Sequence, residues 1–359
     1  SSEVRNAVDV LLDPVGDFPF VADSDRSSYV SAILTLRARH MIDGPVPMIV
    51  IRSPTPGTGK GLLVTVIGLA GIGRELPVMT MSHETEELRK RITALAVDGT
   101  PAVLIDNLSG SIGADVLAAA LTARSWEDRV LGGNRMVRVP LRMVWLATGN
   151  NLTFKRTLGR RVIPIDLDAG VEAPEDRTNF RYPDLPSHVR ALRPELVRAA
   201  LTILRGFHVA GRPAHGGAHM GRFEAWDNLI RSAVVWAGLA DPAATTDPTR
   251  ARGRVRSQAD DDVEQLGAVL EMLASFWPEA EPFATAQLLK RASENDEVRA
   301  VLDAFAPPRG GGHASANSLG GKFRDHQGRP VEGLVLRRIG RSWRVERTGR
   351  VERTGGADQ

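Results

Sequence analysis

The chain has no cysteine among its 359 residues. That excludes a disulfide scaffold, a cysteine nucleophile and any thiolate-ligated zinc or iron–sulfur site. Lysine is also scarce: Lys60, Lys90, Lys155, Lys290 and Lys322 are the only lysines among 46 basic residues, and arginine supplies the rest. Arginine stays charged and offers a flat fork of donors suited to phosphate, although a GC-rich genome gives the same bias. Neither sign of charge dominates, since 46 bases against 43 acids leave +3, too little to identify a partner. No apolar run approaches the ~18 residues of a membrane span, and the first residues lack a signal-peptide core. A soluble, cytoplasmic protein that makes no membrane contact is therefore expected. A hydrophobic share of 42% argues against wholesale disorder, and the length suits two or three domains.

What is present is patterned. Residues 1–45 read as an N-terminal helical segment, with apolar positions at Val30, Ile33, Leu34 and Leu36. The opening SSEVRNAVDVLL reads like the interior of a longer protein. From residue 46 to 170 short apolar strands alternate with helices: strands at 48–51, 77–81, 102–105, 142–147 and 162–165, with helices between the earlier ones. Such alternation predicts a parallel sheet covered on both faces. Arg129-Val130-Leu131, Gly132-Gly133-Asn134 and Met136-Val137-Arg138-Val139 read as a β-hairpin inserted before the fourth of these strands. Residues 171–258 read as a helical connector and linker, with helices at 192–208 and 223–239. Residues 259–346 read as four helices closed by a hairpin, a winged-helix-like domain, and 347–359 as a frayed tail carrying a second copy of RVERTG.

Chemistry concentrates in Ser53-Pro54-Thr55-Pro56-Gly57-Thr58-Gly59-Lys60-Gly61, between a strand and a helix. Glycines there let backbone N–H groups close on a phosphate, and Lys60 can reach the β and γ phosphates of a nucleotide. Pro54 and Gly61 depart from GxxxxGK[ST]; Gly61 takes the place of the hydroxyl that would bind magnesium, and a water can substitute. Asp106 ends the next long apolar strand, where a carboxylate can hold Mg²⁺ directly or through water, or simply cap a helix. Asn107 stands where many ATPases place a glutamate base, and a carboxamide cannot take up water's proton. Glu84, Glu86 and Glu87 are alternative bases or ordinary solvated charges in a helix's first turn. Asn150, at the end of Trp145-Leu146-Ala147-Thr148-Gly149-Asn150, can orient an attacking water or sense the γ-phosphate. Lys155, Arg156, Arg160 and Arg161 follow, placed to serve a neighbour's nucleotide or to form surface ion pairs. Arg129, Asn134, Arg135 and Arg138 put cations and an amide near the hairpin turn, suited to a nucleic-acid backbone or to discouraging strand addition. Arg324, Arg329, Arg337, Arg338, Arg341 and Arg344 crowd the last helix and hairpin. His208, His215 and His219 have no acid at ligand spacing, so no structural metal is assigned.

Taken in order, Pro-Gly-Thr-Gly-Lys, the Asp106-Asn107 strand end, the hairpin, Ala-Thr-Gly-Asn-Asn and Arg160-Arg161 resemble the AAA+ class. More narrowly, over about 20–205, they resemble superfamily 3 helicases and the helicase portion of phage and mobile-element primase-helicases. The resemblance implies an AAA+ α/β fold and a homo-oligomeric ring, commonly a hexamer, with ATP and Mg²⁺ between subunits and single-stranded DNA in the pore. It implies phosphate contacts from Pro56 through Gly61, Lys60 as the Walker A lysine, Asp106 as the Walker B acid and metal ligand, and Asn150 as sensor 1. Arg161, with Arg160 beside it, becomes the finger, and the hairpin the DNA-gripping element. Two readings follow: an ATP-driven helicase or translocase of a phage or mobile-element replication system, or a nucleotide-gated initiator with slow or no turnover. Any primase activity would lie in an upstream domain or partner.

Overall fold

The computed structural model describes residues 2–82, 84–112, 114–129, 136–154, 156–171, 174–178, 180–243, 258–277, 281–308, 312–328, 330–331 and 333–347. The chain divides into two compact units, 1–257 and 258–359. In the first, α1 (Ser2–Leu12) and α2 (Asp23–Ala38) precede β1 (Met48–Ser53) and α3 (Lys60–Ile72). Then come β2 (Val78–Thr80), α4 (Thr85–Val97), β3 (Ala102–Ile112), α5 (Asp115–Ala120), β4 (Ser125–Arg129) and β5 (Met136–Pro140). They are followed by β6 (Val144–Phe154), α6 (Arg156–Gly159), β7 (Val162–Asp166) and α7 (Leu185–Val209). The unit's last helical stretch runs through α8 (Glu224–Trp226), a π-helical turn (Asp227–Arg231) and α9 (Ser232–Trp236).

Five strands form one parallel sheet in the order β2-β3-β6-β1-β7. The run Met48-Ile49-Val50-Ile51 shows why it is covered twice. Ile49 and Ile51 enter a core built with α1, α2, α3 and α7, whereas Met48 and Val50 enter a core built with α4 and α5. All four residues are fully buried, each worth about 1.5–3 kcal/mol of apolar burial. The alternation follows from the period of two along a strand. Because the strands are parallel, Ser53, Thr80, Asp106, Asn150 and Asp166 come to one edge, with Ser53 opposite Asn150 and Thr80 opposite Asp106. Arg52 of β1 and Asp166 of β7 pair there through two hydrogen bonds of 2.8 Å.

Four elements differ from the sequence expectation. β3 and β6 do not stop near residues 105 and 147 but continue, paired, to Ile112 and Phe154, whose burial beside Leu152 rewards the extension. The helix expected at 192–208 begins at Leu185 and contains Pro194. The helix expected at 223–239 is broken by the π-helical turn, where Ser232 N–H reaches the Asp227 carbonyl. β4 and β5 pair antiparallel outside the main sheet, Arg129 opposite Met136; the turn, 130–135, lies outside the described residues. Among the described residues, no helix is long and apolar enough to cross a membrane.

The second unit contains α10 (Gln258–Phe276), α11 (Thr285–Glu294), α12 (Asp296–Phe305), α13 (Ala316–His326), β8 (Pro330–Val331), β9 (Leu334–Ile339) and β10 (Ser342–Arg347). The strands form an antiparallel sheet in the order β10-β9-β8. Its aromatic core stacks Trp277 on Phe283 at 4.5 Å and sets Phe323 edge-on to Trp343 at 5.4 Å.

Candidate functional site

The loop from Ser53 to Gly59 turns β1 into α3. Gly57 and Gly59 hold left-handed φ angles of 78° and 89°, conformations that a side chain disfavours. Gly59 is the residue before the first turn of α3, and a Cβ there would approach the Phe18 ring to 3.2 Å. The helix therefore starts with its unpaired amides close to the loop, which suits an anion.

Lys60 is the centre of the arrangement. Its Nζ donates to Ser53 Oγ at 2.6 Å and to Asn150 Oδ1 at 2.7 Å. The remaining contacts, Thr55 O and Thr58 Oγ1, are both at 3.4 Å. An ammonium has three protons, so the third donor is weakly committed and can turn to a phosphate oxygen. Because Lys60 only donates, Asn150 must present its oxygen to it, which leaves the carboxamide NH₂ for another acceptor. Burial draws the Lys60 ammonium below its usual pKa, and the Asp106 carboxylate opposes that shift.

Asp106 and Asn107 occupy an irregularity in the β3–β6 ladder, where Ile105 pairs with Ala147 and Leu108 with Gly149. Two residues on β3 thus face Thr148 alone, and Asn107 takes a left-handed φ of 55°, a conformation asparagine tolerates. Thr148 satisfies both: its hydroxyl donates to Asp106 Oδ1 and accepts from Asn107 N at 3.1 Å. Asp106 is thereby fixed with its second oxygen uncommitted to Thr148. Next door, a Cβ on Gly149 would stand 2.3 Å from the Leu108 carbonyl oxygen, so only glycine lets the strands meet. Asp106 fits a magnesium ligand, and an added Cβ at Gly61 would meet nothing within 4 Å, which leaves room for water where a hydroxyl is absent. Thr148→Val should cost about 1–3 kcal/mol, because the part-buried Asn107 amide loses its acceptor. If this edge holds a nucleotide with magnesium, the change should also weaken the magnesium dependence of that binding, whereas Thr148→Ser should restore both. Unchanged melting and unchanged magnesium titration in the valine variant would remove Thr148 from the site.

The other expected residues separate into those near this edge and those far from it. Glu86 and Glu87 lie in the first turn of α4 and pair with Arg89 at 3.2 Å and Arg91 at 3.0 Å. Arg91 also donates to Thr80 O, at the end of β2, at 3.0 Å. Arg161 is elsewhere: its carbonyl accepts Met48 N at 2.9 Å, beside the start of β1. A strand rises ~3.3 Å per residue, so the length of β1 separates Arg161 from Lys60. Arg160 is exposed beside it. Burial, with Arg222 nearby, lowers the Arg161 guanidinium from its ordinary pKa.

Arg129 and Arg138 are exposed on the antiparallel pair, with Arg138 near Glu127 at 4.0 Å. Asn134 and Arg135 lie outside the described residues, as do Lys155 and Arg329. The pair is tied to α4: Trp126 Nε1 donates to Thr93 Oγ1 at 2.9 Å, and Thr93 Oγ1 donates to Asp128 Oδ2 at 2.6 Å. Sequence reasoning missed this tie, which joins residues more than 30 positions apart. In the second unit Arg337 pairs with Glu346 at 2.9 Å, and Arg344 also bonds Glu346. Trp343 is a core residue, only 5% exposed.

Two further features carry little sequence signal. A cleft of 370 Å³ adjoins the loop, walled by Gly57 to Gly59 and by Phe18, Leu62, Phe180 and Tyr182. Leu62 and Phe180 are exposed apolar side chains, and Tyr182 donates to Asp13 Oδ2 at 2.6 Å, which anchors one wall. That hydrogen bond is the main reason the Asp13 carboxyl titrates below its usual range. The second feature is an acid that stands beside two of the histidines in space although none lies at ligand spacing in the sequence. Asp227 Oδ2 lies 3.0 Å from His215 Nε2 and 2.7 Å from His219 Nδ1. However, His215 Nδ1 accepts Gly217 N–H at 3.0 Å. Its proton therefore sits on Nε2 and is given to Asp227, so the three groups are joined by hydrogen bonds.

No family model matches the chain, and no curated protein sequence matches it. Among solved structures it is similar to the NrS-1 C-terminal region, with 12% identity and a TM-score of 0.44 over 97% of this chain and 76% of that one. It is also similar to JCV helicase, with 16% identity and a TM-score of 0.31 over 63% of this chain and 66% of that one.

Proposed function

We propose that the chain is an AAA+ ATPase that drives single-stranded DNA through a homo-oligomeric ring, a helicase or translocase of phage or mobile-element replication. One observation carries the reading: Lys60, Ser53, Asn150, Thr148 and Asp106 converge from the ends of three parallel strands at a glycine loop and helix start. ATP lies with its phosphates on residues 56–61 and its base in the Phe18–Tyr182 cleft. Asp106 holds Mg²⁺, which supplies neutralisation of charge on the phosphates. Asn150 donates its NH₂, which is not used by Lys60 or Ser53, toward the attacking water.

Two further placements support a motor. Arg161 stands at the sheet edge remote from Lys60, away from its own nucleotide, and is assigned here to a neighbour's. Helix α4 begins beside the end of β2 and holds the β4–β5 pair through Thr93, so a shift of α4 moves Arg129 and Arg138 along a DNA backbone. In the second unit the four helices and small sheet are proposed as a winged-helix element contacting DNA. Oligomer size, commonly six in proteins that this sequence resembles, is part of the proposal.

The test is ATP hydrolysis and strand displacement with and without single-stranded DNA. Wild type should be stimulated by DNA, and Arg161→Ala should lose about 10³-fold of the hydrolysis rate while still binding ATP. Mixing it with a variant lacking Lys60 should restore part of the rate in mixed oligomers. A wild type that binds ATP and DNA without turnover would replace the motor with the nucleotide-gated initiator.

A further inference from the structure

A second cavity, of 240 Å³, opens at the opposite edge of the sheet, where β3 and β6 begin. Thr100 and Leu141 line it, and Arg39 and Arg142 are its charged lining residues, with His40 beside them and no acid among the lining residues. Asp98, one residue before the lining Gly99, does not line the cavity, and its carboxylate accepts the Thr100 hydroxyl at 2.9 Å.

Arg39 is unusual for a guanidinium. It is 5% exposed, and among the described residues its two terminal nitrogens donate only to neutral carbonyls, Ile42 O at 3.0 Å and Gly44 O at 2.9 Å. Its Nε has no partner among the described residues. Burial, with Arg142 adding to it, brings the Arg39 pKa down to about 10. At neutral pH Arg39 still carries its charge, and two positive groups face one cavity without a counter-ion from the wall. Burying a charge without compensation is costly, and a planar guanidinium matches the oxygens of a phosphate.

We propose that this cavity binds a phosphate-class oxyanion between Arg39 and Arg142, supplied as free phosphate or as a nucleic-acid backbone phosphate. The place gives the site a use. Pro140, the last residue of β5, lines the cavity, and Leu141 N–H donates to Arg124 O at 3.0 Å just before β4. An anion bound here sits at the root of the β4–β5 pair and ties it to the end of α2. The inference does not depend on the Lys60 site being an ATPase.

Hydrogen–deuterium exchange on the whole chain tests it, because the two phosphate sites fall in different peptides. Inorganic phosphate should slow exchange in 39–44 and 99–101 separately from any protection of 55–61. Arg142→Ala should raise the half-saturating phosphate concentration for 39–44 about tenfold or more, the loss of one charge-assisted hydrogen bond, and Arg142→Lys should recover part of it. Protection by a single-stranded oligonucleotide at lower concentration than phosphate identifies the backbone as the source, and protection by phosphate alone identifies the free anion. No protection at 39–44 by either probe, or protection unchanged in Arg142→Ala, overturns the site whatever happens at 55–61.

Discussion

Lys60→Ala is expected to lower the ATP hydrolysis rate by about 10²–10³-fold, the loss found when one preorganised donor to developing negative charge is removed. The ammonium has three protons to place. Ser53 and Asn150 take two of its protons at hydrogen-bond distance, and the third is held only by contacts of 3.4 Å. A phosphate oxygen gains that third donor together with a full charge already stripped of part of its water. The alanine variant loses the donor, and Asn150 loses the partner that fixes its carboxamide, so positioning of water suffers with phosphate binding. Folding should be nearly unaffected, since the aliphatic stem is half-buried at the start of a helix and alanine is the best helix former. Hydrolysis under saturating ATP is the measurement. A variant that hydrolyses as fast as wild type would refute the reading of this edge as the nucleotide site.

Much of that edge was legible in the sequence because its signals are local. A run such as Gly-Thr-Gly-Lys between an apolar strand and a helix constrains φ, charge and dipole within a few residues. Burial of Met48 to Ile51 on both faces follows from an uninterrupted apolar run. Thr148 was not legible, because its role arises from an irregular register between β3 and β6, and pairing register is a long-range property. Asn107 did carry a hint, as asparagine tolerates the left-handed conformation that the irregularity needs. Arg39 carried none: among so many arginines, only burial without an acid distinguishes it. The histidines misled for a related reason. Asp227 is twelve residues from His215, outside any short ligand spacing, and a π-helical turn rather than a regular helix brings it to them.

That turn carries the largest expected effect on folding. Asp227 is fully buried and accepts Arg231 at 2.8 Å along with both histidines. Arg231 is itself only 5% exposed in its side chain, and it also pairs with Asp241 at 2.7 Å. Burial alone would raise the Asp227 pKa, but the hydrogen bonds from Arg231, His215 and His219 outweigh it and hold the carboxyl below its usual value. Removing the acid leaves a buried guanidinium with one partner fewer, a loss of about 3–5 kcal/mol. Asp227→Ala should therefore melt about 6–20 °C below wild type for a unit of this size. The pH dependence has a definite sign. A carboxyl whose folded pKa is depressed contributes stability that is fully present above its unfolded value and is lost as pH falls through the folded one. The gap in melting temperature between wild type and Asp227→Asn, which keeps the shape but not the charge, should then be widest near neutrality and close as pH falls below the ordinary carboxylate range. Thermal melts of both proteins from neutral to acid pH measure it. A gap that stays constant across that range would show that charge on Asp227 contributes nothing to holding the turn.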